Sequence, residues 1–173
     1  MIHRLLLFAL LITLVSCTNQ STANVSAIPV DLKAILDSIY FKNQSNSVSK
    51  TLQYTGEEAE TKTIDSTAFR DDLKFLESFA LNERSFADQF RQTGTQPLSY
   101  EATSKKTYVR SIVIWPRETQ SPDSIQISYA MQQITGTRYM DLSLIPASGF
   151  RLEVREDNRM QKNLNFMVQE VWH

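Results

Sequence analysis

The chain has 173 residues, a net charge of −1 and a pI of about 6.1, and 42% of its residues are hydrophobic. This composition is typical of a single globular domain, and the small net charge disfavours nucleic acid as a partner. One cysteine, two histidines and four glycines leave little capacity for a disulfide framework, a histidine metal site or a glycine-rich phosphate loop.

The amino terminus combines a basic start with a short apolar run. Arg4 precedes residues 5–15, which are apolar except for Thr13. A helix that spans a bilayer needs about 20 apolar residues, so this run is too short to cross one comfortably. Its length instead suits the hydrophobic region of a secretory signal. The run ends at Ser16 and Cys17, and a polar segment follows at once.

The tetrapeptide Leu14-Val15-Ser16-Cys17 resembles the lipobox of bacterial lipoproteins. The resemblance implies that a signal peptide, 1–16, is removed and that Cys17 carries covalent lipid. Two or more acyl chains attach a protein stably to a membrane, and no other cofactor is expected. Thr18 stands where lipoproteins of the inner membrane often carry Asp, which favours the outer membrane and its periplasmic face. The alternative is an ordinary signal peptide with an incidental cysteine.

Residues 17–27 are predicted to form the lipidated start and a flexible tether, and 28–173 a single α+β domain. Helical spacing of apolar residues predicts a first helix capped by Asp31 and a second capped by Asp65 or Ser66. Asp71 and Asp72 are assigned to the first turn of the second helix, where the helix dipole favours acids. Between residues 48 and 97 the sequence also predicts a hairpin over 48–55 and 61–64 and a helical turn with Phe86 and Phe90. A break in the pattern follows over 93–97.

Alternating apolar and polar residues predict strands from residue 98 onward. Phe150, Leu152 and Val154 alternate with charged neighbours, and Leu164, Phe166 and Val168 alternate with polar ones. Short connections between the strands favour consecutive antiparallel pairing. The predicted fold is α+β, with N-terminal amphipathic helices and a hairpin, followed by an antiparallel meander of about six strands packed on the helices. The strands are predicted over 98–104, 107–115, 124–132, 138–145, 150–156 and 163–171.

The sequence offers no recognisable catalytic set. His3 leaves with the signal peptide, His173 is the last residue, and lipid occupies the thiol of Cys17, so an enzyme is not expected. Glu57, Glu58 and Glu60 fit a solvated turn better than a calcium loop. A hydrolase that uses acids alone stays open only if two carboxylates converge in a cleft.

The first hypothesis for function is a non-enzymatic envelope lipoprotein that binds or supports another envelope protein. Its layout resembles that of many small envelope lipoproteins of didermic bacteria and, in outline, the larger lipoprotein carriers of the outer-membrane sorting pathway, but no motif matches the carriers. The alternative is a carrier or sensor of an apolar ligand held between sheet and helices. Such a cavity is expected to be lined by Phe69, Phe79, Tyr129, Phe150 and Phe166. A weak patch for anionic lipid or a polyanion is a further alternative for Arg138, Arg151, Arg155 and Arg159, against an ordinary exposed face of mixed charge.

Overall fold

The computed structural model describes residues 28, 30–79, 89–118, 121–160 and 163–173. Within these ranges it contains two helices and nine strands. The helices are α1 (Leu32–Asn43) and α2 (Ser66–Glu77). The strands are β1 (Val48–Tyr54), β2 (Glu60–Ile64), β3 (Phe90–Thr95), β4 (Leu98–Ala102), β5 (Val109–Glu118), β6 (Ser121–Gln133), β7 (Gly136–Ile145), β8 (Gly149–Asn158) and β9 (Leu164–Trp172).

All nine described strands belong to one antiparallel sheet, in the order β2-β1-β9-β8-β7-β6-β5-β4-β3. From β3 to β9 each strand pairs with its neighbour in the chain, which is a meander. The β1–β2 hairpin extends this meander, because β1 pairs with β9. In that ladder Val48 lies opposite Trp172, and Lys50 lies opposite Glu170.

The predicted α+β class is wrong, because the described residues form mainly a β-sheet (56% strand) with two short helices. Two physical reasons account for the error. The hairpin, expected between the helices, is part of the sheet through its pairing with β9. The chain around Phe90 and the predicted break at 93–97 form strand β3 and its turn into β4. Phe86, the other residue of the predicted helical turn, lies outside the described residues.

Both predicted helix caps are confirmed. The Asp31 carboxylate accepts a hydrogen bond from the Ala34 amide at 3.0 Å, and the Asp65 carboxylate accepts one from the Ala68 amide at 2.8 Å. These bonds satisfy amides that the first turn leaves without a helical partner. Because α2 begins at Ser66, Asp71 and Asp72 lie in its second turn, and their predicted place in the first turn is wrong.

Both helices pack on one face of the sheet, here called the inner face. Tyr40 of α1 contacts Phe69 of α2 with 6.2 Å between ring centroids, and Phe69 contacts Trp172 of β9 at 5.7 Å. The predicted alternation is confirmed in the central strands, where the inner face is buried. Its buried side chains include Ile112, Ile114, Ile125, Ile127, Leu142, Leu144, Phe150 and Leu152.

The opposite face, here called the outer face, carries Arg151, Glu153 and Arg155, which are exposed. In β5, Val109 is buried like Ile112 and Ile114, although simple alternation would place it on the opposite face, because the register shifts between Val109 and Ser111.

Candidate functional site

A cavity of about 300 Å³, here called the groove, lies on the inner face beside α2. Its wall is mostly apolar and comes from α2 and from β7, β8 and β9, with one charged residue from β1. The lining residues are Lys50, Asp72, Phe75, Arg138, Met140, Phe150, Leu152, Val154, Leu164, Phe166 and Val168. The volume lies at the lower end of the range of small-molecule sites.

Apolar side chains along the groove are left partly uncovered. The stripe of α2 that faces the sheet buries Phe69, Leu73 and Leu76. Phe75 lies beside this stripe and is 51% exposed, and Leu164 on β9 is 40% exposed. Contiguous exposed apolar surface that forms a concavity is a common feature of ligand sites.

The first polar end of the groove is an ion pair between the sheet and α2. Lys50 on β1 donates to both carboxylate oxygens of Asp72, at 2.6 and 2.7 Å. Behind Lys50 lies Glu170 on β9, which has no exposed surface. Its Oε1 lies 3.7 Å from Lys50 Nζ, and neither of its carboxyl oxygens has a hydrogen-bond partner.

Burial raises the pKa of Glu170 from its ordinary value to about 9. A charged carboxylate is poorly solvated in the protein interior, which favours the neutral acid. The nearby Asp72 raises this pKa further, and Lys50 lowers it. At neutral pH Glu170 is therefore an uncharged acid, and Lys50 and Asp72 balance each other.

Two neighbouring carboxyls of different pKa are also a pattern of acid–base catalysis. Asp72 and Glu170 both lie within 4 Å of Lys50 Nζ. However, Glu170 has no exposed surface, so a molecule in the groove does not touch its carboxyl. This arrangement gives no support to the hydrolase alternative, and the expectation of a non-enzyme stays a prediction.

The second polar end of the groove is Arg138 on β7. Its Nη2 donates to Glu156 Oε1 at 3.2 Å, from the paired position on β8. Its Nε is buried and has no hydrogen-bond partner, while the side chain as a whole is 37% exposed. Glu156 therefore uses only part of the hydrogen-bonding capacity of this guanidinium.

Register places the two polar ends far apart along the sheet. Lys50, Glu170, Phe150 and Leu144 lie in one row across β1, β9, β8 and β7. Arg138 precedes Leu144 by six positions on β7, which corresponds to about 20 Å at the rise of a strand. The groove is thus long and narrow, with polar side chains at its ends.

The five aromatic residues predicted to line a cavity are only partly brought together. Phe150 and Phe166 line the groove. Phe69 does not line the groove, but it contacts Trp172, which in turn contacts Phe150 of the groove wall. Phe79 and Tyr129 contact each other at 5.7 Å and are not among the lining residues.

The predicted arginine group is divided between the two faces. Arg138 points into the groove, whereas Arg151 pairs with Glu153 at 2.7 Å on the outer face. Arg155 stacks over the Tyr139 ring at 4.8 Å, and Arg159 is exposed after β8. The four residues therefore do not form one patch.

Sequence reasoning did not place any charged residue in the groove: it assigned Arg138 to an arginine patch and Asp72 to the start of a helix. The alternation nevertheless contained a signal for two of the charged residues. Glu170 continues the apolar series Leu164, Phe166 and Val168, and Arg138 precedes Met140 and Leu142 at the same spacing. A charged residue is unusual at a strand position whose neighbours on the same face are apolar and buried. Lys50 and Asp72 carry no comparable signal, because their contact depends on how α2 packs.

Two other cavities differ from the groove in character. One of about 640 Å³ lies between α1 and the ends of β6 and β7, with Asp31, Lys42 and Asp123 among its lining residues. One of about 360 Å³ lies on the outer face near Tyr54 and Arg155. Neither combines a continuous apolar wall with charged ends, so the groove is the strongest candidate site.

Other predicted features have the following outcomes. Cys17 and the tether lie outside the described residues, whereas Glu57, Glu58 and Glu60 are exposed, as a solvated turn requires. The part of the chain that the structure describes contains no group of acidic, histidine or cysteine side chains arranged to hold a metal ion. It also contains no helix with the length and hydropathy needed to cross a membrane.

No family model matches the chain, and no curated protein or solved structure matches it.

Proposed function

We propose that the protein is a bacterial envelope lipoprotein, anchored through lipid on Cys17, that binds one single-chain apolar ligand in the groove without catalysing a reaction. The anchor is inferred from the lipobox-like residues Leu14–Cys17 and the short apolar run before them. Thr18 supports an outer-membrane location that faces the periplasm. Within such an envelope, hydrocarbon chains are the abundant apolar ligands.

The observation that carries the proposal is the partly uncovered apolar wall of the groove. Phe75 and Leu164 expose large apolar surface next to Met140, Phe166 and Val168. Covering apolar surface is favourable by about 25 cal/mol per Å². A hydrocarbon chain laid along the groove would cover these side chains and leave the polar ends in contact with its head group or with water.

The shape of this surface favours a small ligand over a protein partner as the occupant of the groove. A stable protein interface is usually a broad surface that buries about 1,200 Å² or more in total. The groove is instead a concavity of about 300 Å³, a shape and size that suit a small molecule. Binding of another envelope protein through a different surface stays a prediction.

A volume-filling substitution tests the proposal. The protein is produced as residues 17–173 with Cys17→Ser, so that no covalent lipid is present, and its binding of hexadecanol is measured by displacement of a fluorescent single-chain alcohol. Val168→Phe fills the groove and is expected to weaken binding about tenfold or more, because the added ring occupies the ligand's space.

Gln169→Phe is the matched control, since it adds a ring of the same kind at the next position of β9, which points to the other face. It is expected to bind hexadecanol like the parent. Equal binding by the parent and Val168→Phe, or no binding by the parent, contradicts the proposed site.

A further inference from the structure

We infer that the ligand is a single-chain amphiphile whose head is an oxygen anion, either a carboxylate or a phosphate monoester. The guanidinium of Arg138 binds this head, and the inference rests on the proposed function. The hydrocarbon chain then runs from Arg138 along β7, β8 and β9 toward Phe150 and α2. The inference concerns the class of head group, which the apolar wall alone does not specify.

Arg138 is the groove cation whose donors are least used. Lys50 is held by both oxygens of Asp72 at 2.6 and 2.7 Å and also lies near Glu170. Arg138 has one hydrogen bond, at 3.2 Å to Glu156, although a guanidinium carries five N–H donors. Its Nε is buried without a partner, and a buried donor without an acceptor is costly.

The geometry of a guanidinium suits an oxygen anion at this position. Nε and one Nη form an edge that can donate two parallel hydrogen bonds to a carboxylate or phosphate. The side chain is 37% exposed, so an oxygen anion can reach it from the groove. A small rotation of the guanidinium then gives Nε the acceptor that it lacks.

The first polar end of the groove is unsuited to an anionic head. There an incoming anion would compete with Asp72 for Lys50, and the neutral Glu170 behind them adds no positive charge. The two ends are separated by about 20 Å along the strands, so one extended chain with its head at Arg138 would reach toward Phe150 and Phe75.

A matched series of ligands tests the inference. Hexadecanoate and hexadecanol share a hydrocarbon chain and differ in the charge of the head, and inorganic phosphate carries an anion without a chain. Binding of each is measured to residues 17–173 with Cys17→Ser, here the parent, and to Arg138→Gln in the same background. The parent is expected to bind hexadecanoate about tenfold or more tighter than hexadecanol, since hydrogen bonds to charged groups are strong.

Arg138→Gln is expected to remove this preference, so that its affinities for hexadecanoate and hexadecanol are equal within about twofold. Arg155→Gln removes an arginine from the outer face of the adjacent strand and is expected to keep the preference. If Arg138→Gln does not fold, Arg138→Lys replaces it. Lysine keeps the charge but lacks the guanidinium edge, so we expect the ratio of hexadecanoate affinity to hexadecanol affinity to fall several-fold.

The outcomes separate this inference from the proposed function. Equal binding of acid and alcohol by the parent, or an undiminished preference in the variants that lack the Arg138 guanidinium, overturns the inference and leaves the groove in place. Inorganic phosphate that binds as tightly as hexadecanoate also overturns it, because the site then recognises a free anion. Failure of both hexadecanoate and hexadecanol to bind the parent overturns the proposed function itself.

Discussion

At the scale of single residues, Glu170 is the clearest departure from an ordinary core. It is fully buried among apolar neighbours, opposite Lys50 on β1 and Phe150 on β8. The charged groups that face it are Lys50 from β1 and Asp72 from α2. Its uncharged state keeps a second negative charge away from Asp72 and preserves the ion pair that joins α2 to the sheet.

This acid makes folding depend on pH. The carboxyl ionises near 4.5 in the unfolded chain and near 9 in the folded protein. Between these values the folded state holds one more proton than the unfolded state, so the free energy of unfolding falls as pH rises. The contribution of Glu170 to stability is complete below about pH 4.5 and is lost by about pH 9.

Glu170→Gln removes this proton uptake while keeping the size and neutrality of the side chain. We expect the variant to be more stable than the wild type by about 1 kcal/mol or more at pH 8.5 and similar to it near pH 4.5. Urea unfolding at these two pH values measures the difference. Glu153→Gln on the outer face controls for the loss of one acid, and parallel pH profiles for wild type and Glu170→Gln contradict the assignment.

Several residue-level predictions from the sequence are confirmed because their physical cause is local. Asp31 and Asp65 cap helices through amides three positions ahead, and Arg151 is exposed because a strand alternates its faces. Glu170 and Asp72 were not predicted as partners, since α2 and β9 are far apart in the chain.

At the scale of elements, α2 links the fold to the groove. Its buried stripe packs on the sheet, while Asp72 and Phe75 contribute to the groove wall. The start of this helix depends on the hydrogen bond from the Ala68 amide to Asp65. The position of the groove wall is therefore sensitive to this cap.

Asp65→Ala is expected to lower the free energy of unfolding by about 1 kcal/mol and to weaken hexadecanol binding. Asp31→Ala removes the equivalent cap of α1 and is expected to cost a similar amount without changing hexadecanol affinity, because α1 contributes no residue to the groove. Thermal unfolding together with the displacement assay measures both effects. Equal binding by Asp65→Ala and Asp31→Ala contradicts this role of α2.

Strand β3 shows where element prediction fails. Its sequence FRQTGT is polar and contains a glycine, so neither alternation nor β-propensity identifies it. It forms an edge of the sheet by pairing with β4, with a register shift between Gln92 and Gly94. The local pattern instead favoured a helical turn that included Phe90.

At the scale of the whole molecule, the groove results from a mismatch in size between the sheet and its helices. Nine strands at a spacing of about 4.8 Å form a sheet about 40 Å wide. The two described helices have 12 residues each, or about 18 Å, and they lie side by side. They cannot cover the whole inner face. The start of β7, the end of β8 and the start of β9 are left partly open.

The sequence could not reveal this mismatch. It predicted most strands of the meander, whose neighbours in the chain are neighbours in the sheet. The pairing of β1 with β9 joins segments more than 100 residues apart, and short-range periodicity contains no information about such contacts. That pairing changes the fold class, and it also places Lys50 beside Glu170 at one end of the groove.

Native mass spectrometry of the protein released from bacterial membranes in mild detergent tests the lipid anchor and the bound ligand together. We expect the mass of Cys17–His173 plus covalent acyl chains, together with one non-covalently bound single-chain amphiphile that is absent from Val168→Phe. A chain without acyl groups on Cys17 contradicts the anchor, and an acylated wild-type protein with no bound amphiphile contradicts the function proposed for the groove.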